Sequence, residues 1–210
     1  MFSTKEEFQK EGLRLLQENN YTGTIVADTG ASKSKIAIDA IKEGKFKNIL
    51  ITSPRTNLKD NWREELEKWG IKQYRIAIDP TEVVPGFDKL CWMYDLNIIS
   101  IIFENIQTCY KWTKEQLQQF DLIIVDEVHF IGQEYSAFIT IARKLNISCI
   151  GLTATPDKSN EFKRDVLYKM LPILIEYHSA EKDGLINKVN YIIYEHELSN
   201  DYKVLTGNKT

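Results

Sequence analysis

The chain has 210 residues, with 27 Lys and Arg against 30 Asp and Glu, a formal net charge of −3, and 43% hydrophobic and 27% charged residues. That is enough for one substantial hydrophobic core, and the slightly acidic balance excludes a global basic field that would advertise a polyanionic partner. No apolar run is long enough to span a bilayer and none reads as a secretory segment, so a soluble protein of the cytoplasm or another intracellular compartment, with no membrane partner, is expected.

In chain order, residues 24–27 predict a first strand, followed by the turn Asp28-Thr29-Gly30-Ala31-Ser32-Lys33-Ser34 and a helical stretch over 35–41. A strand, a glycine-bearing turn with a lysine, and a helix form the context of a phosphate loop. Backbone N–H groups and the helix N-terminus cradle phosphate oxygens, Lys33 reaches the β- and γ-phosphates, and the Ser34 hydroxyl ligates Mg²⁺. Against the general pattern G-x-x-x-x-G-K-[ST], Ala27 and Ser32 stand at the two glycine positions. If the backbone at Ser32 needs a conformation suited to glycine, a serine costs roughly 1–3 kcal/mol. Each ~1.4 kcal/mol is about tenfold in affinity.

Residues 48–53 predict a second strand. The segment that follows has apolar residues at Leu58, Trp62, Leu66 and Trp69, a helical spacing with Gly70 as a stop. Trp62 and Trp69 are therefore read as core contacts rather than base-stacking platforms. Further strands are expected at 74–78 and 98–103, separated by a loop at 79–88 that contains Pro80, Pro85 and Gly86. The alternation of strands and helices is that of an α/β fold with a parallel sheet.

The apolar run Leu122-Ile123-Ile124-Val125 reads as a buried strand ending in Asp126-Glu127-Val128-His129. In an open α/β sheet, ligands gather at the carboxyl ends of the strands. There Asp126 can hold Mg²⁺ through water, and Glu127 can orient or deprotonate the water attacking a γ-phosphate. An isolated strand ending in two acids is as often a solvated strand end; the upstream loop favours the functional reading. A last strand over 148–153 carries Thr153-Ala154-Thr155, which either satisfies local backbone groups or bonds the acidic motif and transmits its nucleotide state together with His129. Cys91, Cys109 and Cys149 lack metal-ligand spacing and read as reduced core residues. His178 and His196 have no motif around them and read as structural.

These ordered motifs resemble the first RecA-like domain of a superfamily 2 helicase or translocase of the DExH type, in the group of type III restriction and DEAD-like helicases. The family's phosphate loop commonly reads A-x-T-G-x-G-K-[ST], which Ala27, Thr29, Gly30, Lys33 and Ser34 fit, leaving Ser32 as the departure. The resemblance runs to about Tyr177 and implies an ATP site of Gln9, Thr29, Gly30, Ala31, Ser32, Lys33 and Ser34. Gln9 would read adenine, although Lys5-Glu6 replaces the Leu-Arg usual before that segment. It further implies Mg²⁺ held by Ser34 and Asp126, catalysis by Lys33, Asp126 and Glu127, and coupling through His129, Thr153 and Thr155. Nucleic-acid contacts would come from Arg55 and Thr56 in Pro54-Arg55-Thr56, and from Asn105 and Gln107 in Glu104-Asn105-Ile106-Gln107-Thr108; the bland reading of Arg55 is a solvated charge near a helix start.

The resemblance therefore implies a RecA-like P-loop domain over residues 1–178 and a connector over 179–210, where 187–198 reads as strand-like. The chain is too short for two such domains. A second RecA-like domain, in the same longer chain or another subunit, would complete a motor acting on nucleic acid, DNA favoured over RNA. A single domain would hydrolyse ATP weakly. The competing reading is a nucleotide-binding or protein-binding module impaired by Ser32.

Overall fold

The structure is a computed structural model that describes Phe2 and residues 4–54, 58–71, 74–76 and 99–178. Arg55, Thr56, Cys91, His196, the 79–88 loop and the connector at 179–210, with its strand-like 187–198 segment, lie outside the described residues.

The strands are β1 (Gly23–Ala27), β2 (Asn48–Ser53), β3 (Tyr74–Ile76), β4 (Ile99–Asn105), β5 (Leu122–Asp126), β6 (Ser148–Thr153) and β7 (Ile173–Tyr177). Among the described residues they form a seven-stranded sheet in the order β3-β4-β2-β5-β6-β1-β7, with every pairing parallel. The helices are α1 (Lys5–Glu18), α2 (Lys33–Gly44), α3 (Leu58–Lys68), the short α4 (Ile106–Cys109) and α5 (Lys114–Leu117), α6 (Ser136–Lys144) and the single turn α7 (Tyr168–Met170).

The expected strands are present, and β7 is an addition to them. Its apolar core is only Ile173-Leu174-Ile175 after Pro172, and as an edge strand it is mostly half-exposed, so it lacks the continuous apolar run of the central strands. It pairs with β1 and fixes the start of the phosphate loop, where the Asp28 N–H donates to the Tyr177 carbonyl at 3.2 Å.

Alternation of side chains along each strand explains why the central runs are apolar throughout. Ile49, Ile51, Leu122, Ile124, Ile150 and Leu152 enter one core with α1, α2 and α3. Leu50, Ile123, Val125 and Cys149 enter a second core, on the opposite face, with α4, α5 and α6. Each fully buried Ile or Leu contributes about 1.5–3 kcal/mol relative to exposure, which fixes the register and therefore which residues emerge at the strand ends. Because all strands run the same way, the ends of β1, β2, β5 and β6 share one edge.

Helix α1 starts at Thr4, whose hydroxyl accepts the Glu7 N–H at 3.1 Å, with Glu6 and Glu7 suiting the positive end of the helix. Gly12 lets α1 lie close to α2: a Cβ there would sit 2.8 Å from Ile36 Cδ1. Helix α3 ends as expected at Gly70, which takes φ +88, while Ile71 N–H donates back to the Leu66 carbonyl at 2.8 Å.

Candidate active site

The loop between β1 and α2 turns at Gly30, with φ 87, and again at Ser32, with φ 60 and ψ 49. Both are left-handed, a region a serine rarely occupies. The Ser32 side chain makes no capping bond to α2, so the helix begins without the hydroxyl cap that usually satisfies its first N–H groups. Ala31 is fully buried, which anchors the loop from below.

Lys33 opens α2 and folds back along the loop. Its ammonium donates to the carbonyl of Ala27 at 2.6 Å and of Asp28 at 3.3 Å. Burial lowers its pKa, while the charges of Glu127, Asp126 and Asp28 work in the other direction, so the loop lysine lies within electrostatic reach of both acids at the end of β5.

Asp126 ends β5 beside β6, opposite Leu152. Its two oxygens are both held: Oδ1 accepts the Glu127 N–H at 3.0 Å and Oδ2 accepts the indole N–H of Trp62 at 3.1 Å. Burial raises the Asp126 pKa and Glu127 adds to the rise; Trp62, the Glu127 N–H and Lys33 act against it. Glu127 takes a left-handed backbone, φ 52 and ψ 46, and starts a 3₁₀ turn over Val128–Phe130. Such a conformation costs of order 1–3 kcal/mol and clusters at functional sites. The left-handed turn ends the strand's alternation at Glu127.

His129 Nδ1 lies 2.7 Å from Thr153 Oγ1 and 3.4 Å from Glu127 Oε2. Thr153, at the end of β6, is fully buried, and its hydroxyl also accepts the Thr155 N–H at 3.2 Å. Gly151 allows this packing, since a Cβ there would meet Thr24 Oγ1 at 2.9 Å and Val128 Cγ1 at 3.2 Å. The structure thus joins His129, Thr153, Thr155 and Glu127 in one network.

Helix α3 supplies contacts absent from the sequence reading. Trp62 is a core residue, 3% exposed, and Trp69 packs partly buried against the same core. Both indole N–H groups are also used: Trp62 on Asp126, and Trp69 on Glu65 Oε2 at 2.8 Å. Glu65 Oε2 accepts the Ser34 hydroxyl too, at 2.8 Å, and Lys68 bonds Glu65 Oε1 at 2.9 Å. Burial acts to raise the Glu65 pKa, but the bonds from Lys68, Trp69 and Ser34 outweigh it and the net shift is downward, holding the carboxylate ionised. The available signal was a glutamate on the apolar face of α3, one turn after Trp62 and one turn before Trp69.

The remaining expected residues are more dispersed. Gln9 is buried on α1, 7% exposed, beside Phe8, whose ring packs on Tyr177 at 5.9 Å. Thr29 is exposed at the loop's tip. Asn105 caps α4, accepting the Gln107 N–H at 3.1 Å and donating to the Pro54 carbonyl at 3.5 Å, so its amide ties the end of β4 to the end of β2; Gln107 is exposed. Cys109 and Cys149 are buried, and burial pushes both thiols up to about 12, which makes them poor nucleophiles.

Among the described residues no group of three or more His, Cys, Asp or Glu could hold a metal unaided. Ser34 and Asp126 are nevertheless a fitting pair for Mg²⁺. Both offer hard oxygens, and Mg²⁺ is commonly held by one or two protein groups with phosphates and water. No helix among the described residues is long and apolar enough to cross a membrane.

Residues 1–158 match the family described as Type III restriction enzyme, res subunit. The chain belongs to this family. Among curated proteins it is 28% identical over 160 residues to an uncharacterized ATP-dependent helicase of Mycoplasma pneumoniae, covering 71% of this chain and 15% of that protein. It is also 28% identical over 149 residues to the ATP-dependent DNA helicase Hel308 of Thermoplasma volcanium, covering 65% and 21% respectively. The chain therefore spans about a fifth or less of the length of these relatives. Among solved structures, the UvsW helicase of bacteriophage T4 superposes with a TM-score of 0.55 at 17% identity, covering 81% of this chain and 58% of that one. The Sulfolobus solfataricus SWI2/SNF2 ATPase core in complex with dsDNA gives 0.54 at 19% identity, covering 87% and 45%. These likenesses establish the RecA-like helicase-core fold, so the fold and family expected from the ordered motifs both hold.

Proposed function

We propose that this domain is the ATP-binding half of a nucleic-acid motor, which hydrolyses ATP to unwind or remodel DNA when a second RecA-like domain completes the site. The observation that carries the reading is that the Lys33 loop, following the end of β1, and Asp126-Glu127, at the end of β5, stand at the same edge of the parallel sheet, with the Lys33 ammonium held back on the Ala27 carbonyl. DNA is preferred over RNA because one relative is a DNA helicase and one structural neighbour is bound to dsDNA.

In this reading Lys33 exchanges the Ala27 and Asp28 carbonyls for β- and γ-phosphate oxygens, and the N-terminus of α2 adds N–H donors to the same phosphates. Ser34 and Asp126 would hold Mg²⁺, which supplies charge neutralisation along the phosphate chain. Glu127 takes the proton of the attacking water, and Gln9 reads adenine. His129, Thr153 and Thr155 pass the state of Glu127 to β6 through the hydrogen bonds described above. The second domain supplies an arginine finger, worth about 10³–10⁵ in rate in related phosphoryl transfer, so this chain alone turns over slowly. Residues 1–178 form the motor domain and 179–210 the connector. Arg55, Thr56, Asn105 and Gln107 serve the nucleic-acid backbone, which predicts sequence-tolerant, salt-sensitive binding.

The test is a titration with a fluorescent ATP analogue and Mg²⁺. Binding by the parent that is lost in Lys33→Ala supports the reading. Binding indifferent to Lys33, or its absence in both the parent and Ser32→Gly, sinks it.

A further inference from the structure

One face of α3 reaches both side chains that would hold the metal. Glu65 accepts the hydroxyl proton of Ser34, and Trp62, one turn earlier, donates to Asp126. These bonds link helices and strands distant in sequence, and each has a direction that matters. A serine hydroxyl has one proton and two lone pairs; with the proton committed to Glu65, the lone pairs remain for a cation. Asp126 presents four lone-pair sites, of which Trp62 and the Glu127 N–H use one on each oxygen, leaving one on each. Glu65 is itself fixed by Lys68 and Trp69, so its acceptor oxygen is not a loose surface carboxylate.

We infer that Glu65 and Trp62 are positioning residues for the metal of the nucleotide complex. Glu65 locks the Ser34 hydroxyl with its lone pairs available, and Trp62 locks the Asp126 carboxylate. Neither touches the reacting atoms. Groups that orient metal ligands in this way are typically worth about 10–100-fold in metal affinity. The inference rests on the nucleotide reading proposed above and adds to it the helix that prepares the metal's two ligands.

The experiment compares the affinity of the chain for a fluorescent ATP analogue in EDTA and across a Mg²⁺ series, for the parent, Glu65→Ala, Glu65→Gln and Trp62→Phe. The phenylalanine keeps an aromatic ring in the core and loses the indole N–H together with the five-membered half of the ring, so its affinity in EDTA reports the packing cost separately. The expected result for Glu65→Ala and Trp62→Phe is a Mg²⁺ requirement raised by about tenfold or more, with affinity in EDTA within about twofold of the parent. Glu65→Gln, which keeps an acceptor oxygen, recovers most of the loss. A purely structural role for α3 would weaken binding equally with and without Mg²⁺, and that outcome, or an unchanged Mg²⁺ requirement, overturns the inference while leaving the nucleotide reading intact. Where the parent binds too weakly to titrate, the same series is run in Ser32→Gly. No binding in either background overturns the nucleotide reading and this inference with it.

Discussion

The ammonium of Lys33 is bonded to the carbonyl of Ala27, 2.6 Å away, across the turn that the lysine itself closes. Burial dominates its environment and lowers its pKa despite three nearby carboxylates, so the positive charge is a net cost to the fold. Lys33→Met, which keeps the apolar stem, should therefore leave the thermal midpoint unchanged or raise it. Nucleotide affinity should move the other way, falling about 10- to 100-fold, because hydrogen bonds to charged groups are worth about 1.5–3 kcal/mol. Thermal denaturation and an ATP-analogue titration of the same variant check both signs.

Ser32 separates folding cost from binding cost. A serine in this loop raised the prospect of weakened affinity, but the left-handed backbone at φ 60 belongs to the chain's own fold, so the strain falls on folding. Ser32→Gly should stabilise by about 1 kcal/mol, or roughly 2–4 °C in a chain of this size. Any accompanying gain in affinity would then report crowding of the phosphates by the side chain, not backbone strain. A melting temperature that falls on substitution would show that the hydroxyl makes a stabilising contact worth more than the strain.

Asp126 carries a pH signature. Its folded pKa is raised above 3.8 by burial, with Glu127 contributing, so between 3.8 and that folded value the native state binds more protons than the unfolded chain. The stability this group contributes is complete below 3.8 and is lost as pH rises through its folded pKa. Asp126→Asn should match the parent in stability at low pH and exceed it near neutrality, while losing Mg²⁺-dependent nucleotide hydrolysis. Denaturant midpoints from acid to neutral pH measure the crossover; a variant less stable than the parent at neutral pH contradicts it.

Much of this arrangement was legible in the sequence, and what was not has physical causes. The central strands announce themselves because both faces of β2, β5 and β6 are buried, which makes their middle positions a continuous apolar run, and their parallel course then delivers Asp126 and Thr153 to the edge where Lys33 lies. Strand β7 was missed because an edge strand needs no such run. Trp62 and Trp69 were legible as core residues from helical spacing alone, but spacing says nothing about where an indole N–H points. Glu65 bonds across 31 positions to Ser34, a pairing that only the packing of α3 against α2 creates. The strain at Glu127 was equally silent, since a left-handed glutamate leaves no mark in composition.

The contact between His129 and Thr153 yields the last prediction. The Thr153 hydroxyl serves two groups at once, the His129 ring nitrogen and the Thr155 N–H, from a fully buried position. Thr153→Val keeps the shape and removes both bonds. His129 is half-buried and keeps Glu127 at 3.4 Å, and Thr155 is exposed, so the loss is that of ordinary hydrogen bonds, about 0.5–1.5 kcal/mol each, or a few degrees in thermal midpoint. Because neither Lys33 nor Ser34 bonds to Thr153, affinity for an ATP analogue should change by less than about threefold, within about 0.7 kcal/mol. The larger effect belongs to the complete motor, where stimulation of ATP hydrolysis by DNA should fall while the unstimulated rate persists. An intact stimulation factor in Thr153→Val would remove the Thr153 hydroxyl from the coupling path and leave it a structural group at the end of β6.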